Sequence, residues 1–146
     1  SAHPAFAEII KQLTSDEAKL IGLFVHEMPF PLLTIRSEYR VPEPGKSGGS
    51  DFLVNISTLG QQAGCEHPEL VPTYIDNLCR LGLADVPENY QYTAPGIYEP
   101  LEESMKGVRE AIRAISPERH AVFKRKALVV SVLGKQFARI CVLPKK

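Results

Sequence analysis

Proline sets the lengths of the elements this chain can form. The 146 residues carry 12 prolines, and each of those beside a periodic stretch acts as a boundary. Proline has no amide to donate, fixes its own φ, and pushes the residue before it out of helix. Pro4 suits the first position of a helix in which Phe6, Ile9, Ile10 and Leu13 recur at helical spacing. Pro29 stops a second helix, which starts at the capping box Thr14-Ser15-Asp16-Glu17 and buries Leu20, Ile21, Phe24 and Met28. Pro68 and Pro72 delay the regular part of a later helix to about Val71, after which Val71, Tyr74, Ile75 and Leu78 form its apolar face. Leu81-Gly82-Leu83 closes that helix with Gly82 in the left-handed conformation. Ser116-Pro117 and Pro144 end the last two helices, from about Tyr98 and over 133–142, the second burying Phe137, Ile140 and Cys141.

Between these boundaries Phe30 to Ser37 reads as a strand, Leu33 and Ile35 alternating with Thr34 and Arg36. The segment 40–51 reads as a flexible loop, because Pro42 to Ser50 holds two prolines, three glycines and two serines. Asn55 to Gly64 is expected as one short helix, and strand pairing is expected between 83–93 and 126–131. The order is helix, helix, strand, helix, helix, strand, inserted helix, strand, helix. This is a helix-rich α/β (α+β) domain with a winged-helix-like core, a long amphipathic helix in place of the wing, and extra N- and C-terminal helices. A single domain over 1–146 is the expectation at this length. Ser1-Ala2 shows neither an initiator Met nor a signal-peptide pattern, so the chain reads as excised or processed from a longer protein. No stretch is long and apolar enough to predict a membrane span.

Acids and bases balance at 17 each, yet from Arg119 onward there are eight basic residues and no acid, leaving 9 basic against 17 acidic before it. Lys124, Arg125, Lys126, Lys135 and Arg139 are therefore the candidate contacts for a partner or an anion, weighed against simple neutralisation of the chain's own acidic body. Asn77 and Arg80, polar on a largely buried helix, are expected to bond a neighbouring loop. The solvent face of that helix offers Glu69, Thr73, Asp76, Asn77 and Arg80, a poor match for a phosphate backbone. Gly45-Lys46-Ser47 mimics the end of a phosphate loop but has Arg40 where the pattern needs glycine. Cys65-Glu66-His67 lacks the second ligand pair that a zinc site requires and the orienting group that a nucleophile requires. No cofactor or metal is expected. Three widely spaced cysteines suit a reduced, cytoplasmic setting.

Tyr98, Leu101, Met105, Val108, Ile112 and Ile115 recur at spacings 3, 4, 3, 4, 3. That seam either closes the domain's own core or forms a homodimer across a two-fold axis.

Several phrases carry a family likeness: His3-Pro4-Ala5-Phe6 with Ile9-Ile10-Lys11-Gln12-Leu13, Asp16-Glu17-Ala18-Lys19-Leu20, Phe30-Pro31-Leu32-Leu33, Tyr74-Ile75-Asp76-Asn77-Leu78-Cys79-Arg80-Leu81-Gly82-Leu83, and Leu133-Gly134-Lys135-Gln136-Phe137 on to Cys141. They resemble the bacterial abortive-infection alpha family over most of the chain. The resemblance implies a part in phage defence and brings no assigned catalytic residues. Its members are often longer at the N-terminus. Ser131 departs from the Leu-Thr pair of the family pattern, and a serine there still caps the last helix. The expected function is a non-enzymatic interaction or regulatory domain with a protein partner. The alternative is a winged-helix nucleic-acid-binding module that uses the basic C-terminal segment.

Overall fold

A computed structural model describes residues 5–41 and 48–142. The candidate phosphate loop and half of the expected 40–51 loop lie outside the described residues. The chain is mixed α/β, with seven α-helices among the described residues and a small antiparallel sheet: α1 (Ala5–Lys11), α2 (Ser15–Gly22), β1 (Pro31–Tyr39), β2 (Gly49–Ile56), α3 (Leu59–Ala63), α4 (Val71–Arg80), β3 (Ala84–Asp85), α5 (Glu99–Ser104), α6 (Val108–Ile115), β4 (Arg119–Ala127), β5 (Val129–Val130) and α7 (Val132–Phe137). The main sheet runs β2-β1-β4, and β3 pairs with β5 beside it.

Local signals place the helix ends. Thr14 Oγ1 accepts from the Glu17 amide at 3.1 Å while Glu17 Oε1 accepts from the Thr14 amide at 2.8 Å, so two otherwise orphaned donors at the start of α2 are satisfied. At the end of α4, Gly82 takes φ +78. The Leu83 amide then reaches the Leu78 carbonyl and the Gly82 amide that of Cys79, both at 3.0 Å, folding buried Leu83 onto the helix. Ser131 caps α7 by accepting from the Gly134 amide at 2.9 Å. Gly134 is glycine for a steric reason: a Cβ there would meet the Leu83 backbone carbonyl.

Two cores result. The larger joins α1, α2, α4, α7 and the start of β1 through Phe6, Ile21, Phe24, Leu32, Ile75, Leu78 and Phe137. Phe6 and Phe137 meet edge to face with centroids 5.3 Å apart. The smaller packs α5 and α6 on the other face of the sheet through Leu33, Ile35, Leu101, Ile112 and Ala121.

Five expectations are corrected. Residues 49–51, expected in the loop, belong to β2, and the helix expected from Asn55 is this strand followed by the shorter α3. Phe52-Leu53-Val54 pairs with β1, while two register shifts around Ile35 break the alternation that would have revealed it. The single helix from Tyr98 is two, because the chain turns at Met105 to Gly107, where glycine weakens helix. Its insertion is followed by a nine-residue strand, β4, which pairs with β1 along its whole length, whereas pairing of 83–93 is limited to Ala84 with Val130 and Asp85 with Val129. The last helix gives way to a π turn over Ala138–Val142, which leaves Ile140 exposed.

Candidate functional site

The strand pleat divides the basic segment. Side chains alternate across β4, so Lys124 and Lys126 point to the open face of the sheet and Arg125 to the face covered by α5. Arg125 is neutralised there: its Nη2 and Nε lie 2.7 and 2.9 Å from the Glu102 carboxylate, Glu99 is 3.6 Å away, and the guanidinium sits 5.2 Å from the Tyr98 ring centroid. Hydrogen bonds from Arg125 to Glu102 push its pKa up, so it holds its charge. Lys135 and Arg139 are exposed on α7 and the turn after it, away from the sheet. The structure therefore separates the five candidate cations. Arg119, a further cation of the basic segment, stacks 4.2 Å from the Tyr39 ring centroid and donates to the Ser37 carbonyl at 2.9 Å.

The open face forms a basin of about 340 Å³ lined by Thr34, Arg36, Asp51, Val54, Asn55, Val86, Glu88, Lys124 and Lys126. Its floor is the bulge at which Thr34 stands opposite Val54 and Asn55. Asn55, only 8% exposed, adopts φ +53, and its amide donates to Thr34 Oγ1 at 3.1 Å while Thr34 Oγ1 donates to Asn55 Oδ1 at 3.4 Å. Arg36 is fixed by Glu38 at 3.1 Å and Asp51 at 2.6 Å, Lys126 meets Glu88 at 3.5 Å, and Lys124 has no ion-pair partner among the described residues. Reading the sequence missed Arg36, Thr34 and Asn55 as site residues, although the alternation of Thr34 and Arg36 with Leu33 and Ile35 already placed the first two on a common face.

Asn77 and Arg80 tie α4 to the α1–α2 turn. Asn77 Nδ2 donates to the Gln12 carbonyl at 3.2 Å and to Glu17 Oε2 at 2.8 Å, and Arg80 Nη2 reaches Asn77 Oδ1 at 2.6 Å and Gln12 Oε1 at 3.1 Å. The Cys65-Glu66-His67 segment is held by backbone rather than by a ligand set. Asp16, 5% exposed, accepts from the amides of Glu66 and His67 at 2.8 and 2.9 Å and from Tyr74 Oη at 2.9 Å. Burial alone would push the Asp16 carboxyl up; these hydrogen bonds and Lys19 overcome it and hold the group below its ordinary range. Burial also pushes the Cys65 thiol up, which disfavours the nucleophilic thiolate. His67 is exposed beside Glu69. No group of three or more metal-ligating side chains converges among the described residues. Nor is any helix there long and apolar enough to cross a membrane.

The 3-4 seam lies mostly inside. Tyr98, Leu101 and Ile112 are buried, Met105 and Val108 pack against the smaller core, and Ile115 alone of the six is 73% exposed. The seam therefore contributes mainly to the chain's own smaller core.

An apolar groove of about 600 Å³ runs between β2 and the α3–α4 region, lined by Phe52, Leu53, Val54, Ile56, Val71, Pro72 and Met105 among others. Here β2 is the outer strand of its sheet, with Phe52 and Val54 exposed.

A family model described as "Abortive infection alpha" matches residues 1–141. No curated protein matches the chain. A solved structure of an uncharacterized protein from the hydrocarbon-degrading marine bacterium Alcanivorax borkumensis SK2 is similar in fold, with a TM-score of 0.56 and 22% identity over 94% of this chain and 95% of that one.

Proposed function

We propose a function from one premise: the chain belongs to the abortive infection alpha family. Within an abortive-infection protein it acts as a non-enzymatic interaction or regulatory domain, whose partner protein docks along β2. The observation that carries this reading is the coincidence of an outer strand with an apolar groove: Phe52 and Val54 are exposed on β2, and Val71, Pro72 and Met105 line the cleft beside it. Outer strands offer unpaired amides and carbonyls, and a neighbouring apolar cleft supplies side-chain specificity to a strand added there.

We also read the centre as winged-helix-like. The order α2, β1, α3, α4, β3, β5, with β3 paired to β5 and β4 paired to β1, supports this. The helix that would then read nucleic acid is α4. Its exposed residues Thr73 and Asp76, with Glu69 just before them, carry no positive charge, and Arg80 is engaged with Asn77 and Gln12. That favours a protein partner over the nucleic-acid alternative through the basic segment, which a salt-dependent DNA shift assay tests directly.

Phe52→Glu and Val54→Glu change exposed side chains, so both variants are expected to keep the wild-type thermal midpoint and to lose protection in a plaque assay on cells that the full-length protein defends. Folded variants that still protect would remove β2 from the interface.

A further inference from the structure

We propose that the basin on the open face of the sheet binds a phosphate monoester of nucleotide size, with the phosphoryl group between Lys124, Lys126 and Arg36. The inference goes beyond the docking of a partner on β2 and needs no partner. Arg36, Lys124 and Lys126 line the basin; Glu38, Asp51 and Glu88 balance their charge, but Lys124 has no ion-pair partner among the described residues and is the cation available to an anion. The carboxylates differ in how firmly they are held. Asp51 bonds Arg36 at 2.6 Å and, together with Glu38, fixes the guanidinium; Arg36 uses Nε and Nη1 for these bonds, leaving Nη2 for an anion. Glu88 is 83% exposed and 3.5 Å from Lys126, a contact that an incoming phosphate displaces at little cost.

The floor supplies a second, independent observation. Asn55 is nine-tenths buried yet lines the basin, and its Oδ1 and amide are both committed to Thr34. Its Nδ2 makes no hydrogen bond with any described residue and is not enclosed, so it keeps solvent contact and is free to donate to a ligand oxygen at the basin floor. Val54 and Val86 at the rim offer apolar contact to the remainder of the ligand, and about 340 Å³ lies at the small end of the range of ligand pockets.

The test is titration calorimetry of the 146-residue chain at fixed salt with adenosine monophosphate, inorganic phosphate and a short single-stranded oligonucleotide. The mononucleotide is expected to bind, with inorganic phosphate competing more weakly. Lys124→Gln and Asn55→Gly should each weaken binding, Lys124→Gln about tenfold, the scale of one charge-assisted hydrogen bond. Glycine is chosen at 55 because it accepts the positive φ. Glu88→Gln should tighten binding by releasing Lys126. Arg125→Gln, on the opposite face, should leave it unchanged. The proposal is overturned by the absence of mononucleotide binding, by an equal loss in Arg125→Gln, or by no response to Glu88→Gln. It is also overturned if the oligonucleotide binds and the mononucleotide does not.

Discussion

The two faces of the sheet are built to different depths. On one, the end of β1 carrying Leu32 sinks into a core shared by four helices, where Ile21, Leu78, Leu83 and Phe137 are all fully enclosed. On the other, α5 and α6 cover β1 and β4 with a cluster of five buried apolar residues, supplemented by Arg125 on Glu99 and Glu102 and by Arg109 stacked 4.3 Å from the Phe123 ring centroid. Exposed ion pairs contribute little, whereas apolar burial contributes with area. The helical body should therefore set global stability, and the sheet with α5 and α6 should form a lobe able to open on its own. The basin lies on that lobe and the groove lies between the lobe's β2 and α4 of the body, where opening at low cost suits binding better than bearing load.

The sharpest way to break this comparison is a matched pair of truncations. Leu78→Ala should cost about 4 kcal/mol and Ile112→Ala about 2 kcal/mol by urea denaturation, since the thinner core relaxes into the space more easily. Equal costs would make the cores equivalent. Gly134→Ala should cost about 3 kcal/mol, because the added carbon meets the Leu83 backbone carbonyl inside the helical body; an unchanged urea midpoint would show that α7 can shift.

Acid and alkali sharpen the contrast, because the buried carboxylates among the described residues, Asp16 and Glu17, both belong to the body. The folded Asp16 carboxyl lies below its ordinary value, so its contribution is present above about pH 4 and lost as pH falls through the folded value. Burial first, and Asp16 second, push Tyr74 up to about 12. Its contribution is therefore complete below about pH 10 and lost as pH rises toward 12. Asp16→Asn should flatten the acid limb of a stability-versus-pH curve, and an unaltered limb would assign it to other groups. The smallest effect is expected for Arg125→Gln, within about 1 kcal/mol; a larger loss would mean that its ion pairs hold the lobe together.

What the sequence revealed divides along the same line. Features written within three or four residues were legible: Thr14 with Glu17, Gly82 after the Leu78 turn, and Ser131 before α7 each act through a hydrogen bond to a near neighbour. The lobe was harder to read because its determinants are distant. Asn55 looks like a helix cap, but its positive φ belongs to a bulge opposite Thr34, 21 residues away. The Gly48-Gly49-Ser50 cluster before Phe52-Leu53-Val54 was the available sign of a hairpin with β1. The seam from Tyr98 kept its apolar period even though the helix breaks at Gly107, because both fragments lie on the same sheet face. The basin joins residues of β1, β2, β4 and the loop after β3, so no spacing in the sequence announces it.

Hydrogen exchange resolved to individual amides, measured across low urea concentrations, tests the two-depth account most directly. The amides of β2 and α6 should exchange through a partial opening that responds weakly to urea, while those of α2 and α4 should exchange only by global unfolding. A single common exchange free energy for all four elements would contradict it.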